Sequence, residues 1–399
     1  MKMFSKLLPV AALAVLPALG GLSGCGFFPP LNKCTTNCTT STDFMYVANS
    51  SNTTASPASI AGFSLTTTTT AATSTTAATS TLTLAVTPGS AYATGGYVPL
   101  SMAITPKNQF VYISAVTGGI YLYSIGSTGA LTLQNNSQPV ASGLIASAMK
   151  VDTTGAYLIV ATASSTTTPA SLVVYSIAST TGLLTAVGKA LALPVVGASS
   201  RMSIAANDVN VFLTIGTGGT ASLTFSSTTG ALTYQSYLKP SNTAGAAVGV
   251  TTNSTSTYVF VTETAINAVR VLSIGTNGAL TEVSGSPFAT GVGPSGVLVN
   301  ANGSYVYVIN QTDNTISGFV LAANGTLTEI SGSPFATGTT PVDIAEDSTD
   351  TYVGVVCNGG GHDLEVYSFD ATTGGVLDSA GSATTGTDPT LPIAIVATQ

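Results

Sequence analysis

The chain has 399 residues, only 6% of them charged, and a formal net charge of −7. That balance excludes nucleic acid as a partner, because neutralising phosphates takes clustered Lys and Arg; of the 9 basic residues, Lys2 and Lys6 sit at the extreme N-terminus and the rest are scattered. With 42 Gly and abundant Thr, Ser, Ala and Val, the composition suits strands and turns rather than helices.

At the N-terminus Lys2 and Lys6 form a short basic region, Leu7 to Leu19 is an apolar core too short to span a bilayer comfortably, and Leu22-Ser23-Gly24-Cys25 follows. The tetrapeptide resembles the lipobox of bacterial lipoproteins; an ordinary signal peptide with an incidental cysteine is the alternative. The resemblance implies removal of residues 1–24, a lipid on Cys25, and a tether over 25–43 that anchors the chain in a bacterial envelope without spanning it. Gly26 after the cysteine fits onward sorting to an outer membrane. No other apolar run approaches 18 residues. Cys34 and Cys38, in KCTTNC, could close a small disulfide loop in an oxidising compartment. Two cysteines and one distant histidine make a poor zinc set, which wants four ligands.

From Phe44 onward the chain repeats. A hairpin signal Gly-x-Leu-Thr recurs, and its leucine falls at Leu82, Leu131, Leu184, Leu232, Leu280, Leu327 and Leu377, separated by 49, 53, 48, 48, 47 and 50 residues. An alternating strand supplies an independent marker, starting at Phe44, Phe110, Tyr157, Val211, Tyr258, Tyr305 and Tyr352. The 66-residue interval from Phe44 to Phe110 contains the low-complexity tract Thr66 to Thr81, which reads as a disordered or splayed loop inserted in the first repeat.

The clearest unit breaks into four strands, roughly Pro294 to Asn300, Tyr305 to Asn310, Thr315 to Leu321 and Thr326 to Ser331. Four antiparallel strands in about 47 residues is the size of a propeller blade. A parallel β-helix would need shorter coils; a lipid-embedded barrel would need longer strands and aromatic girdles. Each repeat opens with a strand eleven residues ahead of the aromatic marker, as at Pro99, Ala146, Ala247, Pro294 and Pro341. The first repeat lacks one, and the C-terminus ends in a matching orphan, Leu391 to Ala397. The expected fold is therefore all-β: a seven-bladed propeller over 44–399, its ring closed by the C-terminal strand pairing with the N-terminal blade.

The near-identical stretches TEVSGSPFATG (Thr281 to Gly291) and TEISGSPFATG (Thr328 to Gly338) end outer strands and cross to the next inner strand. Phe288, Phe335 and Tyr92 are expected to wedge between blades. Cys357 lies in an apolar strand pattern and reads as a buried small residue rather than a reactive thiol.

The array P-x-x-[VI]…YVYV…N…G-x-L-T resembles the β-propeller lactonase family, which includes 6-phosphogluconolactonases, and the related YVTN-type surface propellers. The resemblance covers Phe44 to Gln399. In the lactonase branch Arg, His and Glu converge at one mouth of the central channel, where a cation would hold a carboxylate or oxyanion and an acid or base would move a proton. Here the acid falls on Glu263, while the matching Gly-Pro-Arg-His place reads Gly293-Pro294-Ser295-Gly296. The one histidine, His362, falls in a glycine-rich loop beside Asp363, on the same face; it is either a proton-transfer partner or part of a solvated loop. Asp313 and Asp343 could join Glu263 in an acidic ring able to hold a cation such as calcium, or stand as dispersed surface carboxylates. Arg201 and Lys150 sit on inner strands near the channel; Arg270, on a third strand, is expected to face solvent. No resident cofactor is implied.

These residues support three expectations: a monomeric, lipid-anchored binding module offering its loop face to an envelope protein or glycan; a lactone hydrolase using Glu263 and His362; or a repeated surface-layer component.

Overall fold

The computed structural model describes residues 38–51, 53–71, 79–242, 245–359, 361–370, 374–386 and 391–399. The lipobox, Cys25 and Cys34 lie outside the described residues, and Cys38 opens the first strand.

β-branched and aromatic residues alternate with small ones in short runs broken by Asn, Asp and Gly, so the chain folds as hairpins. In the sixth repeat Pro294–Val299, Tyr305–Asn310, Thr315–Leu321 and Leu327–Glu329 pair antiparallel in that order. Seven such four-stranded sheets, referred to below as blades 1 to 7 in chain order, make up the described residues. Their inner strands stand side by side around an axis and form a closed cycle. In blade 1 the inner strand is the C-terminal Pro392–Ala397, which pairs with Cys38–Asn49 through Met45↔Ala397, Val47↔Ile395 and Ala48↔Ala394. Thr398 locks this seam, its N–H donating to Phe44 O at 2.9 Å and its hydroxyl to Asp43 Oδ1 at 3.1 Å. The ring thus leaves no inner edge strand at the seam.

Turns between inner and second strands share one device: a side-chain oxygen accepts two backbone amides of the hairpin. Asn253 Oδ1 takes the N–H of Thr257 and of Tyr258, both at 2.9 Å. Asn300 does the same for Ser304 and Tyr305, and Asp347 for Thr351 and Tyr352. Such Asx turns fix the register of each hairpin.

The GSPFATG segments act as anticipated at blade junctions, with one refinement. Phe288–Ala289 and Phe335–Ala336 form short strands on the third strand of their own blade, continuing the outer-strand position after a loop. Phe335 is buried among Tyr307 and Ile316 of blade 6 and Val353 and Tyr367 of blade 7, the expected wedge. The motif's serine is explained too: Ser286 and Ser333 hydroxyls accept the third-strand amides of Val271 and Gly318, each at 3.1 Å.

Three sequence expectations need correction. Thr66 to Thr81 is not wholly a loop: Ser59–Thr70 and Thr79–Val86 pair with each other, and the first strand pairs back to Cys38, so threonine's β-branching extends the sheet beyond the anticipated start at Phe44. With that extension the register equivalent of Leu131, opposite Ile125, is Leu84 opposite Leu65, rather than Leu82. In blade 4 the strand opens at Asn210, not Val211, because a polar residue stands where the other blades carry an aromatic.

Candidate functional site at the central channel

The inner strands present their unpaired edges to a central channel, and their register decides which side chains meet there. Ile204 and Glu346 each pair with the second residue of the neighbouring strand, Val211 and Val353. Counting back equally from both places Arg201 and Asp343 at one level, on blades 4 and 7, across the ring from each other. They meet: Arg201 Nη1 lies 3.1 Å from Asp343 Oδ2, and Arg201 Nη2 donates to Val342 O at 2.9 Å. Asp343 Oδ2 also accepts the Ile395 N–H at 3.0 Å, tying the strut to the C-terminal strand.

A cavity of about 480 Å³ occupies the channel. Its wall runs from the level of Arg201 and Asp343, past Lys150 and Glu346, to Ala301 and Ser348 in the turns after the inner strands and to Gln399. The crossover residues that precede the inner strands do not line it. The Arg201–Asp343 pair therefore forms the cavity's inner end, and the cavity opens through the face bearing the inner-to-second-strand turns. Lys150, level with Ser203 and Ala345, is exposed to this channel yet enclosed by protein on its flanks. That enclosure lowers its pKa, and the Asp343 charge partly offsets the effect. Burial and the neighbouring Asp350 push the Glu346 carboxyl up to about 9, although its Oε1 accepts the Ala301 N–H at 3.2 Å. Glu346 is therefore protonated at neutral pH.

The other anticipated residues do not join this cluster. Glu263 is fully buried and already engaged: Arg270 Nη1 is 3.1 Å from its Oε1, the Ser241 N–H donates to both its oxygens at 3.0 Å, and the Ser241 hydroxyl donates to Oε2. Arg270, expected at the surface, is 6% exposed and bridges Glu263 to Glu282, with Nη2 3.0 Å from Glu282 Oε2. Its aliphatic stem follows the apolar alternation of its strand inward, and the two carboxylates meet its guanidinium there. The cation missing beside Glu263 in the sequence motif is thus Arg270, seven residues on and directly readable only once the hairpin register is known.

His362 is exposed, and its charge lowers the pKa of Glu365, which burial raises. Asp363 is buried and accepts the Thr385 amide at 2.7 Å and hydroxyl at 2.9 Å, next to Asn49 of blade 1. Asp313 is exposed and accepts the Val292 N–H at 2.6 Å. No group of three or more His, Cys, Asp or Glu among the described residues could hold a metal ion, so Glu263, Asp313 and Asp343 do not form the acidic ring. Cys357 is buried as expected, with its thiol pushed up to about 12.

Fold and channel together define a seven-bladed β-propeller with a charged axial cavity. Residues 215–391, covering most of blades 4 to 7, match the family described as "Lactonase, 7-bladed beta-propeller". Among solved structures, a putative 6-phosphogluconolactonase from Bacteroides uniformis is 14% identical, with a TM-score of 0.67 over 89% of this chain and 99% of that one. A periplasmic gluconolactonase from Pseudomonas aeruginosa is 15% identical, with a TM-score of 0.65 over 90% and 99%. A Lactobacillus plantarum protein is 19% identical, with a TM-score of 0.65 over 90% and 100%. At these identities the likeness is one of fold. No curated protein matches the chain.

Proposed function

We propose that the chain is a lipid-anchored extracytoplasmic binding module built on a lactonase-type propeller, offering its loop-bearing face to an envelope macromolecule or glycan. One observation carries this reading. Exposed apolar side chains collect on that face: Val116 at 41%, Ile145 at 40%, Val196 at 45%, Val292 at 43% and Leu391 at 42% exposure. Val116 follows a second strand; the others stand in crossovers just ahead of inner strands, so all lie at one end of the ring. Apolar groups gathered on one face of a soluble fold favour a binding surface. The full chain in detergent micelles should co-sediment with envelope material, and an Ile145→Ser/Val292→Ser double variant should lose most of that retention. Equal retention by the two proteins would overturn the reading.

A second reading, lactone hydrolysis, is favoured by the family match and by the relatives' names. Against it stands Glu263, whose oxygens are already taken by Arg270 and Ser241. A base must reach a proton to abstract it.

A further inference from the structure

The axial cavity and the loop-bearing face lie on opposite sides of the Arg201–Asp343 strut, so the cavity needs its own account. Four ionisable side chains besides Lys150 line it: Arg201, Asp343, Glu346 and Asp347. Arg201 and Asp343 neutralise each other across the ring. Glu346 is neutral when protonated. Asp347 is buried in its turn, where it accepts the amides of Thr351 and Tyr352 and the Thr349 hydroxyl. Lys150 alone has no hydrogen-bond partner among the described residues, and it projects from an inner strand into a space of about 480 Å³. That volume falls within the range of small-molecule sites. An ammonium held this way lacks a counterion, and a low-dielectric wall makes the deficit costly.

We infer that the cavity is a binding site for a small carboxylate monoanion, entered through the turn-bearing face and held by Lys150, with Arg201–Asp343 as its floor. A single uncompensated positive charge matches a monoanion better than a phosphate dianion. The protonated carboxyl of Glu346 can donate to a carboxylate oxygen, and Ser147, Ser203 and Thr251 on the wall offer hydroxyls to a hydroxylated ligand. The site is independent of Glu263 and of the loop face, so it stands whether or not the chain binds envelope material or turns over lactones.

The test is calorimetric titration of the full chain with glycerate, its neutral amide glyceramide, and inorganic phosphate. Glycerate should bind in the millimolar range and glyceramide at least tenfold more weakly. Lys150→Met should abolish glycerate binding while raising the melting temperature, because it removes an unpaired charge. Ala345→Leu, at the Lys150 level on blade 7, keeps the charge but fills the space, and should also abolish binding. Equal binding of glycerate and glyceramide, unchanged affinity in either variant, tighter binding of phosphate, or no binding of glycerate at all would each overturn the assignment.

Discussion

The ring of Tyr258 in blade 5 lies against Gly325 in the last turn of blade 6, and its hydroxyl donates to Ala323 O at 2.9 Å. The two residues belong to the two markers by which the repeats are counted, the aromatic that opens the second strand and the glycine of Gly-x-Leu-Thr. Each blade's aromatic is therefore seated on the next blade's glycine. Phe110 with Gly182, and Tyr157 with Gly230, repeat the contact, and in blade 4 Asn210 takes the aromatic's place against Gly278. A Cβ on Gly325 would stand 2.7 Å from Tyr258 Cε1, and its φ of +84° lies in the left-handed region. Gly325→Ala should destabilise the protein by about 1–3 kcal/mol. In a double-mutant cycle with Tyr258→Ala the losses should be less than additive in urea unfolding, because the steric part of the cost disappears with the ring.

The buried Arg270 network makes a second prediction. Removing one partner of a buried ion pair strands the other, at a cost of roughly 3 kcal/mol. Glu263→Gln should therefore lower stability markedly, whereas Glu282→Gln, whose side chain is 36% exposed, should cost under about 1 kcal/mol. Chemical denaturation of both variants checks the ranking.

The seam should be equally sensitive. Ile395 pairs with Val47, and its N–H donates to Asp343. Ile395→Pro deletes that donor and breaks the closing strand, with an expected loss of about 3 kcal/mol or more. Thermal melting should fall accordingly, and aggregation should rise as the edge of blade 1 becomes available to other chains.

A pH effect follows from Glu346. Its folded pKa of about 9 is raised above the ordinary carboxyl value, so its protonated form contributes stability that is fully present below pH 4.5 and is lost as pH climbs to 9. Glu346→Gln should flatten that decline between pH 5 and 9 in melting-temperature profiles. An unchanged slope would mean the carboxyl titrates normally.

Blade number, strand order and the closing role of Leu391 to Ala397 were legible in the sequence because each depends on spacing along the chain. The pairs that hold blades together were not. Tyr258 and Gly325 could be counted separately, but their contact joins residues of different repeats. Arg201 and Asp343 could be placed near the channel, yet their meeting requires a closed ring with two distant blades in matching register. Arg270 was misread because a charged residue in a strand suggests solvent, and only the fold brings Glu263 and Glu282 to it. The threonine tract was misread because low complexity suggests disorder, whereas uninterrupted β-branched residues can continue an existing ladder.

The most direct test of the functional account is hydrolysis of glucono-lactone by the purified full chain, followed by acid release at neutral pH. The account predicts a rate no faster than the spontaneous reaction, because Glu263 is sealed beneath Arg270 and Ser241. Enzyme-dependent turnover that vanishes in a folded Glu263→Gln variant would contradict it.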